Sequence, residues 1–168
     1  MTGPALDATA AEGLLFGLLV LPICAWVAYT DLSAMRIRNE AVLALLAAFV
    51  VTGPFVLAPD AYLWRYAQLA LVLALGFALS SARLLGAGDA KFAAAAAPMV
   101  APGDAGTVMM LLATLLAATL ALHRAARAIP KVRGLAPHWR SWHEARDFPL
   151  GVPLGLTLAA YLWLAALG

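Results

Sequence analysis

Asp31 and Asp89 are the residues of this chain whose type and placement best suit chemistry. Each is a lone carboxylate at the edge of a long apolar run: Asp31 closes the first run, and Asp89 stands in Gly86-Ala87-Gly88-Asp89-Ala90-Lys91 ahead of an alanine-rich one. Holding an acid near hydrocarbon is costly, roughly 2.5 to 3.5 kcal/mol for an Asp at mid-helix, so a pair kept there is a functional-site hypothesis by default. Two carboxylates a few ångströms apart do not both ionise readily, and one keeps its proton. The charged member can then take a proton from water while the neutral one polarises a carbonyl. Such a pair titrates as a unit and hydrolyses an amide without a metal or nucleotide.

The acids can act together only if the elements around them return the chain to one place. The 168 residues are 64% hydrophobic and 12% charged, whereas soluble domains carry about 25% charged residues. That composition indicates an all-α integral membrane protein, a single membrane-embedded domain over residues 1–168. A span needs about 20 mostly apolar residues to cross about 30 Å of hydrocarbon. About six transmembrane helices are expected, near 13–30, 41–57, 63–82, 85–101, 106–122 and 149–167, with a polar loop at 123–148. The fourth is short and alanine-rich, and it completes a crossing only by starting near Leu84 or where the bilayer is thin. The opening residues carry Asp7 and neither Lys nor Arg after them before the first run, which argues for a retained first helix rather than a removable signal peptide.

Charge placement bears on this layout independently, because cytoplasmic loops hold the excess of Lys and Arg. With six spans, all of the eleven cations except Arg65 fall on one side, Arg146 among them. That side is assigned as cytoplasmic, with both termini on the other. Omitting the short fourth segment scatters the cations over both faces. The layout puts the end of helix one and the start of helix four on the cytoplasmic side, so Asp31 and Asp89 share a face.

The neighbours of the two acids admit supporting roles. Gly86 and Gly88 lack a Cβ and permit sharp turns and close approach of a helix or a substrate backbone. Lys91 either tunes Asp89 or snorkels to the headgroups. Asn39 either steadies the Asp31 segment or caps helix two. The glycine run lacks the GxxxxGK[ST] spacing of a phosphate-binding loop. Cys24 is alone in an apolar run, which excludes a disulfide framework. His123, His138 and His143 read as solvated loop residues rather than metal ligands. Trp139 and Trp142 read as anchors at the membrane interface. No metal, no cofactor and no nucleic-acid partner is expected.

These motifs resemble those of the prepilin peptidases, intramembrane aspartic proteases of the GxGD type. Gly86-Ala87-Gly88-Asp89-Ala90-Lys91 matches the family's GxGDxK signature. Asp31-Leu32-Ser33-Ala34-Met35-Arg36-Ile37-Arg38-Asn39 is similar to its first-aspartate segment, with Arg38 where the family carries proline. Phe148-Pro149-Leu150-Gly151-Val152-Pro153 is similar to the stretch that opens the family's last helix. The resemblance implies Asp31 and Asp89 as the catalytic pair and Gly86, Gly88, Lys91 and Asn39 as its support. Its implied partners are a prepilin or pseudopilin substrate and the lipid bilayer. The larger members carry an N-terminal cytoplasmic region with paired cysteines that accompanies N-methylation. This chain resembles the short, peptidase-only form serving Flp-type pili, so methyltransferase activity is not expected.

Together these readings give a six-span endopeptidase of the bacterial inner membrane, which removes basic leader peptides from type IV or Flp-type prepilins at the cytoplasmic face. The rival reading is a non-enzymatic scaffold or a small transporter subunit of a secretion or pilus system. Few polar residues lie along the spans, which counts against transport. The oligomeric state is left open.

Overall fold

The computed structural model describes residues 6–144 and 147–168, and Arg146 therefore lies outside the described residues. Seven α-helices account for most of them: α1 (Ala10–Ala34), α2 (Asn39–Val56), α3 (Pro59–Ser81), α4 (Ala87–Ala96), α5 (Ala105–Ala128), α6 (Pro130–Leu135) and α7 (Gly151–Leu167). Among the described residues there is no strand. Four stretches are long and apolar enough to cross a membrane: α1, α2, α3, and α5 together with the turn before it. Large apolar side chains such as Leu43, Phe55, Phe77 and Met110 point outward from them. This is the surface of an all-α membrane protein, whose outer face meets lipid rather than water.

α1 is the central helix. It starts at a capping box, in which the Thr9 hydroxyl accepts from the Glu12 N–H at 3.2 Å and the Glu12 carboxylate accepts from the Thr9 N–H at 3.4 Å. It runs antiparallel to α7: Gly13 near its start lies so close to the last turn of α7 that a Cβ would stand 2.4 Å from the Ala166 nitrogen. Phe16, Val20 and Val27 of α1 pack with Leu45 and Phe49 of α2, Phe92 of α4 and Tyr161 and Leu162 of α7 in one fully shielded core. α4 is enclosed by α2, α3 and α7, while α5 leans on α7 and has no buried residue of its own.

The fourth helix departs from the expected 85–101. It holds 10 residues, about 15 Å of rise, and then passes through a 3-10 turn, Ala97–Met99, into extended backbone at Val100. Non-helical backbone at membrane depth is tolerated only where its polar groups find partners inside the protein. Here they do. Arg65 donates to the carbonyls of Pro98 and Val100, Gln68 donates to Val100 at 3.3 Å, and the Ala101 N–H reaches the Tyr161 hydroxyl at 3.0 Å. Arg65 is itself held by Glu12 at 3.3 Å, with both side chains buried. Arg65 is thus an internal partner for the turn after α4 rather than a surface charge.

The Pro102–Asp104 turn is also structural. Asp104 is buried and accepts from the N–H groups of Asp7 and Ala8 and from the Tyr161 hydroxyl. Over its described residues 123–144 the polar stretch holds helical structure rather than a loop. α5 continues through Ala128, α6 follows, and a 3-10 turn spans Arg140–Trp142.

Candidate active site

The end of α1 sets the first acid. Met35 caps the helix in the left-handed conformation, with φ of 52°, and returns its N–H to the Asp31 carbonyl at 2.8 Å. The helix stops one turn past Asp31, and the link 36–38 runs extended into α2. Arg38 adopts φ of −77°, within the range that a proline ring imposes. The turn survives without the proline, and Arg38 instead pairs with Glu40 at 3.4 Å.

The second acid lies in the first turn of α4. Gly86 precedes the helix with φ of −66°, and among the described residues no glycine has positive φ. The expected sharp glycine turn is therefore absent, because the chain enters the helix from an ordinary extended conformation. Close approach is what the glycines provide. A Cβ on Gly86 would stand 2.5 Å from Asp89 Oδ2, and one on Gly88 would press on Ile37 of the α1–α2 link at 3.3 Å.

Asp31 and Asp89 meet at the walls of two adjoining clefts. The larger, about 900 Å³, lies between the α1–α2 link and the start of α4, and both acids line it. The smaller, about 460 Å³, lies toward the segment before α7, and both acids line that one as well. Asp31 is 5% exposed.

Lys91 and Asn39 join the two halves of the site. Lys91 Nζ donates to Asn39 Oδ1 at 3.3 Å, tying the start of α4 to the start of α2. Arg38, not Asn39, occupies the cap position of α2, so the capping role expected for Asn39 gives way to this cross-helix bond. Arg36 and Arg38 also line the larger cleft with Lys91.

Sequence reading missed Gly151. Its N–H donates to Asp31 Oδ2 at 2.6 Å, and a Cβ there would lie 2.9 Å from the same oxygen. The signal was the Pro149 to Pro153 stretch, which showed a helix start without showing what the start touches. The segment before α7 walls the smaller cleft through Arg140, Glu144, Asp147 and Phe148. It is fixed by Trp142, which is 7% exposed, stacks on His123 at 5.0 Å and on Trp139 at 5.7 Å, and donates its indole N–H to the Ala136 carbonyl. Trp142 is a packing anchor in place of the expected interface anchor. His123, expected in a solvated loop, lies on α5 in that stack. No group of His, Cys, Asp or Glu able to hold a metal occurs among the described residues.

Comparison with curated proteins and with solved structures gives no match. The model of the type IV leader peptidase family matches residues 18–122, well over half of the chain, and the match contains both Asp31 and Asp89. A membrane bundle bearing two acids on a common cleft agrees with that match, and the chain belongs to the type IV leader peptidase family.

Proposed function

We propose that this protein is an aspartic endopeptidase that removes the basic leader peptide from type IV or Flp-type prepilins at the cytoplasmic face of the bacterial inner membrane. Asp31 and Asp89 are its catalytic pair. The observation that carries this reading is that two acids from separate helices line both of two adjoining clefts.

Hydrolysis by this pair needs one ionised carboxylate and one protonated carboxyl close together. The ionised group accepts a proton from water, and the neutral group polarises the scissile carbonyl. A prepilin begins with a soluble leader followed by a hydrophobic helix, so its scissile bond lies at the membrane boundary. The end of α1 and the start of α4 lie at that boundary in the six-span layout. Six crossings remain part of this proposal, with α7 contributing an apolar helix of 17 residues and α4 crossing with its extension.

Family membership and the placement of both acids on the cleft walls favour hydrolysis over a scaffold or transporter role. The test is cleavage of a candidate prepilin in liposomes by the parent and by Asp31→Asn and Asp89→Asn, with insertion checked for each. The reading expects cleavage by the parent and none by either variant. Cleavage that survives either substitution contradicts it.

A further inference from the structure

The first residue of α7 distinguishes the two acids. The Gly151 N–H reaches Asp31 Oδ2 at 2.6 Å in a buried setting. A buried, direct N–H donor favours the ionised form of the carboxylate it touches. The dipole at the start of this 17-residue helix has the same sense. Asp89 has a lesser claim on the negative charge. It lies half-buried in the first turn of the 10-residue α4, where a helix dipole and the Gly86 backbone N–H both act on it, and the 2.6 Å buried bond from Gly151 gives Asp31 the stronger hold on charge.

We propose that Gly151 is a positioning residue that keeps Asp31 as the ionised, water-activating member of the pair and leaves the shared proton on Asp89. The assignment rests on the peptidase reading above. As the water oxygen bonds to the scissile carbonyl carbon, Asp31 takes one proton from that water and Asp89 gives its proton to the carbonyl oxygen, producing a gem-diol. Asp31 then passes its proton to the amide nitrogen, the C–N bond breaks with its electron pair going to nitrogen, and Asp89 recovers a proton from a diol hydroxyl. One water is consumed, and the pair returns to its starting state.

Other charges line the clefts that both acids share. Arg36, Arg38 and Glu40 face the larger cleft from the α1–α2 link and α2, with Lys91 from α4. Arg140, Glu144 and Asp147 face the smaller cleft from the segment before α7. Arg38 is engaged by Glu40 and Arg140 by Glu144, and Lys91 bonds Asn39. Because both acids line both clefts, these groups act on both members, whereas the Gly151 bond reaches Asp31.

The experiment is carboxyl-carbon NMR of the full protein labelled at aspartate, in micelles, with the two resonances assigned by Asp31→Asn and Asp89→Asn and followed against pH. In the parent, Asp31 ionises before Asp89. Replacing Gly151 by glycolic acid exchanges its N–H for an ester oxygen without adding a side chain, and it narrows or reverses that order. The same change lowers kcat about tenfold with KM little altered, and it moves the acidic limb of the kcat/KM profile up by about one pH unit. Gly151→Ala, which crowds Asp31 Oδ2, shifts both readouts the same way. Asp89 ionising first in the parent, or an ester variant with unchanged order and unchanged acidic limb, overturns the assignment. The titration needs no substrate: a parent that cleaves no prepilin refutes the peptidase reading and leaves the order of ionisation still measured.

Discussion

At the scale of single residues, the site depends on what is left out as much as on the acids. Gly86 is the clearest case, since any side chain there meets Asp89 Oδ2 at 2.5 Å. Gly86→Ala is expected to lower cleavage by at least about tenfold while the melting temperature in detergent hardly moves, because Gly86 itself is exposed. A variant that melts normally and cleaves like the parent contradicts the contact. Gly88→Ala, whose Cβ would meet the Ile37 Cβ at 3.3 Å, costs less because that contact is longer and falls on neither acid. Lys91 and Asn39 share one hydrogen bond, so Lys91→Met, Asn39→Ala and the double variant should lose similar activity, each a loss of about 0.5 to 1.5 kcal/mol. Additive losses in the double variant would show that the two residues act separately. The acids, the two glycines and the lysine were legible because they cluster around short runs next to apolar segments. Gly151 was not: its partner lies 120 positions away, and nothing local marks a glycine that faces a carboxylate.

At the scale of elements, the short α4 governs the design. A regular helix continuing at this position would have no need of a buried cation, whereas the one present ends at Ala96, and the turn that follows presents the Pro98 and Val100 carbonyls for Arg65 to satisfy. Arg65→Met leaves Glu12 as an uncompensated buried charge and is expected to cost about 3 to 5 kcal/mol. Pairing it with Glu12→Gln should restore part of that loss, which thermal melting of the three variants in detergent will read. No recovery in the double variant would mean that Arg65 acts through the carbonyls alone. Charge counting recorded Arg65 only as the exception to a rule. Its partners on α1 and in the turn after α4 become neighbours only through packing. The segment before α7 was misjudged for a related reason. Trp139 and Trp142 read as interface anchors, but the chain forms a 3-10 turn over Arg140–Trp142, and the Trp142 ring stacks on His123 of α5 and on Trp139. Trp142→Ala should release this wall of the smaller cleft, seen as faster limited proteolysis near residues 136–144 together with weaker cleavage of substrate. Proteolysis unchanged from the parent would contradict the anchoring role.

At the scale of the whole molecule, the arrangement is polarised: a polar clamp of Glu12, Arg65, Asp104 and Tyr161 closes one end, and the two acids with their clefts open at the other. The hydrophobic content and the cation bias gave the membrane setting and the shared face of the acids, because both are sums over many residues and survive errors at individual positions. Helix lengths, and above all the end of α4, were less legible, since they depend on which distant side chains cap the backbone. The six-span orientation can be read by thiol labelling in a Cys24→Ala background. Gly134 and Gly106 both have open space for a side chain. Gly134→Cys is expected to react with an impermeant maleimide only from the cytoplasmic side, and Gly106→Cys only from the opposite side. Labelling of both from one side refutes the layout. The central claim concerns the pair of acids, and its most direct measurement is leader-peptide cleavage of a prepilin in liposomes by the parent, Asp31→Asn and Asp89→Asn. Cleavage by the parent alone, with all three proteins inserted, is the predicted result, whereas a variant that still cuts would contradict catalysis by Asp31 and Asp89.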